Sequence, residues 1–290
     1  MKATLLALAT FVSSVAYAAP VTGYDKVVVN VNNPQRIVAI NSTTTEILFV
    51  LGAGSRVVGI ENSVQYPPEA KRITSVGHPY YPSVEGIISL KPDVVVATQE
   101  NLPAASVTQL RSAKVPVLIL EPSDKDGVAG YRRRVQMIAE LVDQRQKATE
   151  EIRRFDQVLS KVENSIRRDA RPPKVFFFYA HGPAAGYIYG NHTGPDYLIE
   201  AAGGQNAAKS VEGVKNFTLE AMIESSPEVI LVLERVSKNL GGPIAIAKMP
   251  GISLTPAGRD HKVIEMEETI RSIGPRFASF VEELAEKLKK

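Results

Sequence analysis

The side chains of this sequence best suited to holding a ligand stand together on one short turn. In the stretch "VGHPYYP", His78 is followed by Tyr80 and Tyr81, and a proline lies on each side of the tyrosine pair. Because proline fixes φ at about −65°, the two prolines restrict the backbone of the turn. A stiff turn loses little entropy when it grips a ligand. We interpret the three rings as a binding site; a surface turn whose tyrosines pack on the protein is the alternative.

Another imidazole follows a strongly apolar run, "KVFFFYA", which ends just before His181. In open α/β sheets, ligands bind outside the carboxyl ends of the strands. His181 is therefore a second candidate for ligand binding, and a loop-capping role is the alternative. His192, in "GNHTGPDYL", is a weaker candidate, and His261 is the weakest.

Two glutamates occupy equivalent places in an internal repeat. "SVEGIISLKPDV" and "TLEAMIESSPEV" share Ser/Thr-x-Glu, an apolar residue two positions later and a proline, at a constant offset of 135 residues from Glu85 to Glu220. In each copy the Ser or Thr is typical of a helix N-cap, and the proline ends the helix before an apolar run.

Glu85 and Glu220 allow two interpretations. Each could be an exposed carboxylate near the positive end of a helix, where it adds little. The pair could instead be two acidic knobs, one on each half of the molecule, that dock on basic pockets of a two-fold symmetric partner. Because the glutamates coincide under the repeat, we favour docking.

The wider pattern alternates short apolar runs with helical stretches, which predicts an α/β fold. "RIVAI", "DVVVAT" and "VPVLIL" read as buried strands, and "KVFFFY" is the counterpart of "RIVAI" in the second half. After "RIVAI", Thr43 and Glu46 have the spacing of a capping box, and Gly52 is placed to end the helix. The repeat predicts two similar α/β lobes with a ligand cleft between them.

The lobes are separated by a long helical segment. Its residues Val135, Ile138, Phe155 and Leu159 belong to a continuous apolar face, and neither proline nor glycine interrupts it after Gly130 until residue 172. We predict one long helix over residues 129–171, between an N-terminal lobe over 19–128 and a C-terminal lobe over 172–290. The basic run "RRR", residues 132–134, is interpreted as a solvated helix face, with a partner-binding patch as the alternative.

The N-terminus "MKATLLALATFVSSVAYA" has a positive charge, a short apolar run and a small-x-small triplet. This predicts a cleaved signal peptide over residues 1–18 and export to the periplasm. The sequence has no cysteine, which excludes disulfides, thiolate zinc sites and cysteine nucleophiles. Its net charge of +3 indicates neither a nucleic-acid partner nor an anionic membrane surface.

Enzyme motifs are absent from the sequence. It contains no Gly-x-Ser-x-Gly elbow, His-Glu-x-x-His helix or phosphate loop ending in Gly-Lys. A metal-dependent enzyme that uses the histidines is a further alternative, but Asp260 beside His261 is the only adjacent acid–histidine pair. We expect a binding protein and no enzymatic activity.

Longer stretches resemble a known family. "RIVAI", "TEILFVLGAGSRVVGI" and "SVEGIISLKPDVVVAT" look like the first lobe, and "FTLEAMIESSPEVILV" like the second lobe, of class III periplasmic binding proteins of ABC importers. That family carries cobalamin, ferric siderophores or haem. "HTGPDYLIEAAGGQNAA", "LTPAGR" and "IGPRFASFVEELAEKL" are similar to its haem-binding branch of the HmuT kind.

The resemblance implies two α/β lobes joined by a long helix, haem as transported ligand in the cleft, and an inner-membrane permease dimer with its ATPase as partner. His78 stands where this branch typically has a tyrosine that ligates iron, so it is the expected ligand of the haem iron, with Tyr80, Tyr81 and His181 as further contacts. Glu85 and Glu220 match the acids that meet arginines on the permease. A ferric siderophore or cobalamin is the alternative cargo; the absence of tryptophan mildly disfavours a siderophore.

Overall fold

The structure, a computed structural model, describes residues 20–166, 171–182 and 185–289, with residues 181, 182 and 185 described by their backbone alone. The predicted signal peptide lies outside the described residues. The helices are α1 (Ser42–Val50), α2 (Val84–Ser89), α3 (Ala104–Ser112), α4 (Gly127–Leu141), α5 (Arg145–Ser165), α6 (Gly194–Ala201), α7 (Leu219–Ser225), α8 (Glu234–Asn239), α9 (Pro243–Ala247), α10 (Pro256–Arg259) and α11 (Phe277–Leu288).

The strands belong to two large sheets and two small pairs. They are β1 (Val21–Thr22), β2 (Val28–Val29), β3 (Ile37–Ile40), β4 (Val57–Ile60), β5 (Thr74–Ser75), β6 (Gly77–His78), β7 (Tyr81–Pro82), β8 (Val94–Thr98), β9 (Val117–Leu120), β10 (Lys174–Gly182), β11 (Ala185–Tyr189), β12 (Gln205–Asn206), β13 (Val214–Asn216), β14 (Val229–Leu233) and β15 (Val263–Met266).

The first lobe is built on a parallel sheet in the order β5-β4-β3-β8-β9. Every residue of β3, β8 and β9 is buried. Such continuous burial explains why these strands read as unbroken apolar runs, since helices cover both faces of a parallel sheet.

The first helix does not begin with the predicted capping box of Thr43 and Glu46. Its N-cap is Asn41, whose side-chain oxygen accepts the backbone N–H groups of Thr43 at 2.8 Å and Thr44 at 3.2 Å. An asparagine satisfies two free donors here without help from Glu46, which instead pairs with an arginine of the second lobe. Gly52 follows the helix with a left-handed φ of 75°, as predicted for its C-terminal stop.

The second lobe repeats the arrangement with two added strands. Its sheet has the order β13-β11-β10-β14-β15, in which β10, β14 and β15 are parallel, as are β3 and β8 in the first lobe, and β12 also pairs parallel with β10. The added strand β11 folds back antiparallel on β10, and β13 pairs antiparallel with β11. The predicted α/β architecture with two similar lobes is confirmed.

The segment predicted as one helix over residues 129–171 is instead two helices. The first ends at Leu141 and the second begins at Arg145, and Asp143 between them takes a left-handed φ of 54°. The helices turn back on each other: the rings of Tyr131 and Phe155 lie 4.5 Å apart between centroids.

Burial of the apolar face explains this turn. One straight helix would leave much of that face in water, whereas the pair buries Val135 and Ile138 of α4 together with Phe155 and Leu159 of α5. No glycine or proline occurs at the turn, so the sequence pattern gave no sign of it. α4 contacts α1 and β1 of the first lobe, and α5 contacts α11 of the second. The connection between lobes is therefore a packed helical hairpin.

Candidate functional site

A cavity of about 630 Å³ lies between the two lobes. Its walls come from segments that follow the carboxyl ends of β3, β4, β8, β9 and β15, and from β10 and β11, so it occupies the place where open α/β sheets bind ligands. The residues that line the cavity include Asn41, Glu61, His78, Tyr80, Tyr81, Glu100, Asn101, Ser123, Asp124, Tyr179, Tyr187, Tyr189, Glu268, Arg271 and Ser272.

The turn with the predicted binding residues lies at this cavity. β6 and β7 form a small hairpin in which His78 pairs with Tyr81, and their rings stack at 5.7 Å between centroids. The ring of Tyr80 lies 5.9 Å from that of His78. Tyr81 is 77% exposed, so much of its ring is available to a ligand. The structure thus brings His78, Tyr80 and Tyr81 together as predicted.

Two buried asparagines hold the turn in place. Asn101 donates to the carbonyl of Pro79 at 3.0 Å, and its own oxygen accepts from Asn41 at 2.9 Å and from Thr98 at 2.8 Å. Because Asn41 and Asn101 follow β3 and β8, the turn is tied to the ends of two central strands. Sequence reasoning missed both residues, since nothing local marks an asparagine that bonds to a turn more than twenty positions away.

A hydrogen bond fixes the tautomer of His78. Its Nδ1 accepts the backbone N–H of Tyr80 at 3.2 Å, so the neutral ring carries its proton on Nε2. A metal bound at Nε2 requires that proton to move to Nδ1, and the Tyr80 N–H must then be released. Ligation through this nitrogen is therefore coupled to a change in the turn.

The opposite wall is aromatic and carries one cation. Tyr179 and Tyr187 pair across β10 and β11, with rings 6.4 Å apart and inclined by 20°. The guanidinium carbon of Arg271 lies 4.8 Å from the centre of the Tyr179 ring. Arg271 Nε is buried and has no hydrogen-bond partner within the described chain. Burial raises the pKa of neighbouring Tyr189 to about 12, so its phenol is protonated at neutral pH.

Acidic residues line the first-lobe side. Glu61 is buried and accepts the hydroxyl of Ser63 at 2.8 Å. Burial raises its pKa, while the hydrogen bonds of Ser63 and the charges of Arg271 and His78 lower it. The pKa of Asp124 is raised by burial and by the charge of Glu100. In both residues burial is the main cause, because it removes the carboxylate from the water that would solvate its charge.

The base of the cavity joins the lobes directly. Ser123 and Ser272 have their hydroxyl oxygens 3.0 Å apart, and Ile273 donates its N–H to the carbonyl of Ser123 at 3.3 Å. Arg134 lies beneath both segments and donates to the carbonyls of Ser123 at 2.7 Å and Ile273 at 3.0 Å. This network links the first lobe, the helical hairpin and the second lobe.

The buried arginine corrects the interpretation of "RRR" as a solvated face. Arg134 is only 1% exposed, because it serves the carbonyls at the base of the cavity. Arg132 pairs with Asp156 at 2.7 Å, and Arg133 pairs with Glu121 at 2.8 Å. A solvated face describes only the first two arginines.

A profile of the periplasmic binding protein family matches residues 37–269. The chain belongs to this family. Its structure is similar to that of the periplasmic heme-binding protein RhuT from Roseiflexus sp. RS-1 in apo form, with a TM-score of 0.82 and 31% sequence identity over 88% of this chain and 97% of that chain.

Two relatives are similar in sequence. The ABC transporter substrate-binding lipoprotein YvrC of Bacillus subtilis is 28% identical over 88% of this chain and 80% of its own length. The vitamin B12-binding protein of Yersinia pestis is 24% identical over 68% of this chain and 69% of its own length. This periplasmic binding protein is accordingly a component of an ABC importer and not an enzyme.

His192 and His261 are not part of the cavity wall. His192 is exposed and hydrogen-bonds Glu212 at 2.9 Å, and His261 is exposed in the turn after α10. The side chain of His181 lies outside the described parts of the chain, so its predicted contact stays a prediction. Within residues 20–166, 171–182 and 185–289, no cluster of three acids or histidines is arranged to hold a metal ion. None of the described helices is long and apolar enough to cross a bilayer.

The two glutamates of the repeat lie outside the cavity, on helices of matching build. Ser83 caps α2 by accepting the N–H of Gly86 at 3.0 Å, and Thr218 caps α7 by accepting that of Ala221 at 3.2 Å. Each helix has its glutamate exposed in the first turn. The predicted N-caps are therefore confirmed in both copies.

Proposed function

We propose that this binding protein carries haem in the cleft between its lobes, as one molecule or two stacked, and delivers it to an inner-membrane permease dimer with its ATPase. The observation that carries the proposal is an imidazole, His78, beside two tyrosines at the wall of a 630 Å³ interlobe cavity. An imidazole is a suitable axial ligand for haem iron. The similarity to RhuT supports the choice of cargo.

The residues on both walls suit a flat, largely apolar macrocycle. On the first wall, His78 would bind iron through Nε2 once the Tyr80 N–H releases Nδ1, and Tyr80 and Tyr81 would pack on the ring. On the second, the parallel pair of Tyr179 and Tyr187 offers an aromatic surface. The side chain of His181 would reach the cargo from the end of β10.

Arg271 is suited to an anionic group of the cargo. Its guanidinium is held against Tyr179, and its Nε has no partner among the described residues. A carboxylate that accepts this donor would satisfy a buried polar group, which otherwise costs about 1–3 kcal/mol.

Delivery would use the exposed helices α2 and α7. Glu85 and Glu220 sit at equivalent positions of the two lobes, as a two-fold permease dimer requires, and they stand clear of the cavity. The signal peptide over residues 1–18 would bring the protein to the periplasm, where this encounter takes place.

The cargo is tested by adding hemin to the purified protein and recording the visible spectrum. We expect a shifted Soret band with saturable binding, a loss of affinity of at least about tenfold in His78→Ala, and no change in His261→Ala, the matched control at an exposed turn. A spectrum that does not respond to hemin, or equal affinities of His78→Ala and wild type, would reject haem ligation by this residue.

Cobalamin is the second candidate, since the vitamin B12-binding protein of Yersinia pestis is a relative. A corrinoid would occupy the same cavity, and a ferric siderophore would also fit the family. Competition separates these cargoes: cyanocobalamin should not displace hemin from a haem carrier even in large excess. Tight binding of cyanocobalamin with no Soret response to hemin would instead favour the second candidate.

A further inference from the structure

The two docking helices are equivalent well beyond their glutamates. At the offset of the repeat, Ile87 and Met222 are both fully buried beneath their helices. Each helix is followed by a residue with left-handed φ, 48° at Lys91 and 46° at Ser226, and then by a proline. The N-caps, the buried apolar residues and the left-handed residues that follow the helices therefore correspond, so α2 and α7 present matching outer faces.

Each outer face also carries an exposed isoleucine. Ile88 is 36% exposed and Ile223 is 43% exposed, and they are separated by the same offset as the glutamates. Residues i and i+3 lie on one face of a helix, so Ile88 neighbours Glu85 and Ile223 neighbours Glu220. A single exposed apolar residue needs no explanation. Here the same combination of a carboxylate and a β-branched aliphatic side chain recurs in both lobes.

We propose that Glu85 with Ile88, and Glu220 with Ile223, are two equivalent docking patches. Each inserts its isoleucine into an apolar depression of one permease subunit while its glutamate pairs with a basic residue at the edge of that depression. This inference rests on the proposed function, in which α2 and α7 meet the permease. Apolar contact gives affinity at the centre of an interface, whereas exposed charges mainly give orientation and association rate.

The charge of the patches identifies the kind of partner. Two copies of this chain meeting patch to patch would bring glutamates together, and like charges across an interface are unfavourable. A partner with two basic, apolar-centred pockets related by two-fold symmetry fits both patches at once. A homodimeric membrane permease has that symmetry.

The test measures binding of the full-length mature protein to the permease–ATPase complex of the same organism in nanodiscs. In Ile88→Thr/Ile223→Thr, threonine keeps the β-branch and removes the apolar end. We expect the dissociation constant to rise about tenfold per patch, and the salt dependence of binding to be unchanged because both glutamates are retained. Ile88→Val/Ile223→Val should recover most of the affinity. Ile244→Thr, at a 65% exposed isoleucine outside the repeat, is the matched control.

The outcomes separate the two proposals. If the threonine pair binds the complex like wild type while Glu85→Ala/Glu220→Ala binds weakly, the apolar contact is rejected and the docking helices stand. If neither pair weakens binding, docking through α2 and α7 is itself rejected. If Ile244→Thr loses as much affinity as the threonine pair, the effect is not specific to the repeat and the inference fails.

Discussion

Arg276 of the second lobe binds both carboxylate oxygens of Glu46 in the first. Nη2 lies 2.8 Å from Oε1 and Nε lies 3.1 Å from Oε2, although 230 positions separate the two residues. The same guanidinium donates to Glu267 at 2.7 Å and lies 4.0 Å from the centre of the Tyr66 ring. The side chain of Glu46 is only 2% exposed, so this is a buried, bidentate clamp between the lobes.

Removing the acid should destabilise the whole protein. Glu46→Ala leaves Arg276 without its interlobe partner but with its pair to Glu267, so the loss should lie at or below the lower end of the roughly 3–5 kcal/mol that breaking a buried ion pair typically costs. Glu46→Gln keeps one hydrogen-bonding oxygen and should lose less. Urea denaturation measures both. The control is Glu283→Ala, which breaks an exposed pair with Lys287 and should cost less than about 1 kcal/mol. Equal losses at positions 46 and 283 would show that the clamp adds no stability.

Replacing Arg134 should weaken the contact between the lobes at the base of the cavity. Burial lowers the pKa of its guanidinium to about 10, against the charges of Glu121, Glu100 and Asp124, so the group is still a cation at neutral pH. Arg134→Ala would remove this donor from the carbonyl of Ile273 and leave the carbonyl of Ser123 with only the N–H of Ile273, at a cost of about 3 kcal/mol. We expect a lower urea midpoint and weaker hemin binding.

Arg132 of the same basic run provides the comparison. Its side chain is 41% exposed and pairs with Asp156, so Arg132→Ala should change the free energy of unfolding by less than about 1 kcal/mol and leave hemin affinity intact. If Arg132→Ala and Arg134→Ala behaved alike, the network beneath the cavity would have no special part in holding the lobes.

The exposed pair of His192 and Glu212 should make a contribution to stability that depends on pH. The hydrogen bond that His192 donates to the carboxylate of Glu212 raises the pKa of His192 and lowers that of Glu212. The stability it contributes is fully present between about pH 4.3 and about pH 6.5, the ordinary values for glutamate and histidine. It is lost as the pH rises through the raised pKa of His192 or falls through the lowered pKa of Glu212. NMR titration of the ring protons should show that Glu212→Gln brings the His192 pKa down, with the His261 resonance unmoved by the substitution. An unaltered His192 titration would contradict the pairing.

Part of the site was predictable because it is local. His78, Tyr80 and Tyr81 share one turn, and the N-caps Ser83 and Thr218 lie three residues from the N–H groups they accept. Short-range spacing encodes both features. Arg271 was missed because its contact with Tyr179 spans distant parts of the sequence. The hydrogen bonds that join Asn41 to Asn101 and Asn101 to Pro79 were missed for the same reason, whereas the N-cap formed by Asn41 is local and was also missed.

By itself, the sequence determined the α/β alternation, the duplication that gives two lobes, and the turn on which His78, Tyr80 and Tyr81 stand together. Periodicity and N-caps depend on neighbouring residues, and a repeat is visible by comparing two stretches of sequence, so all three can be recognised without coordinates. Only the tertiary structure decided that α4 and α5 form a hairpin, that Arg134 is buried and that Glu46 meets Arg276. Those outcomes depend on which distant surfaces exclude water together, and burial of that kind leaves no local mark in the sequence.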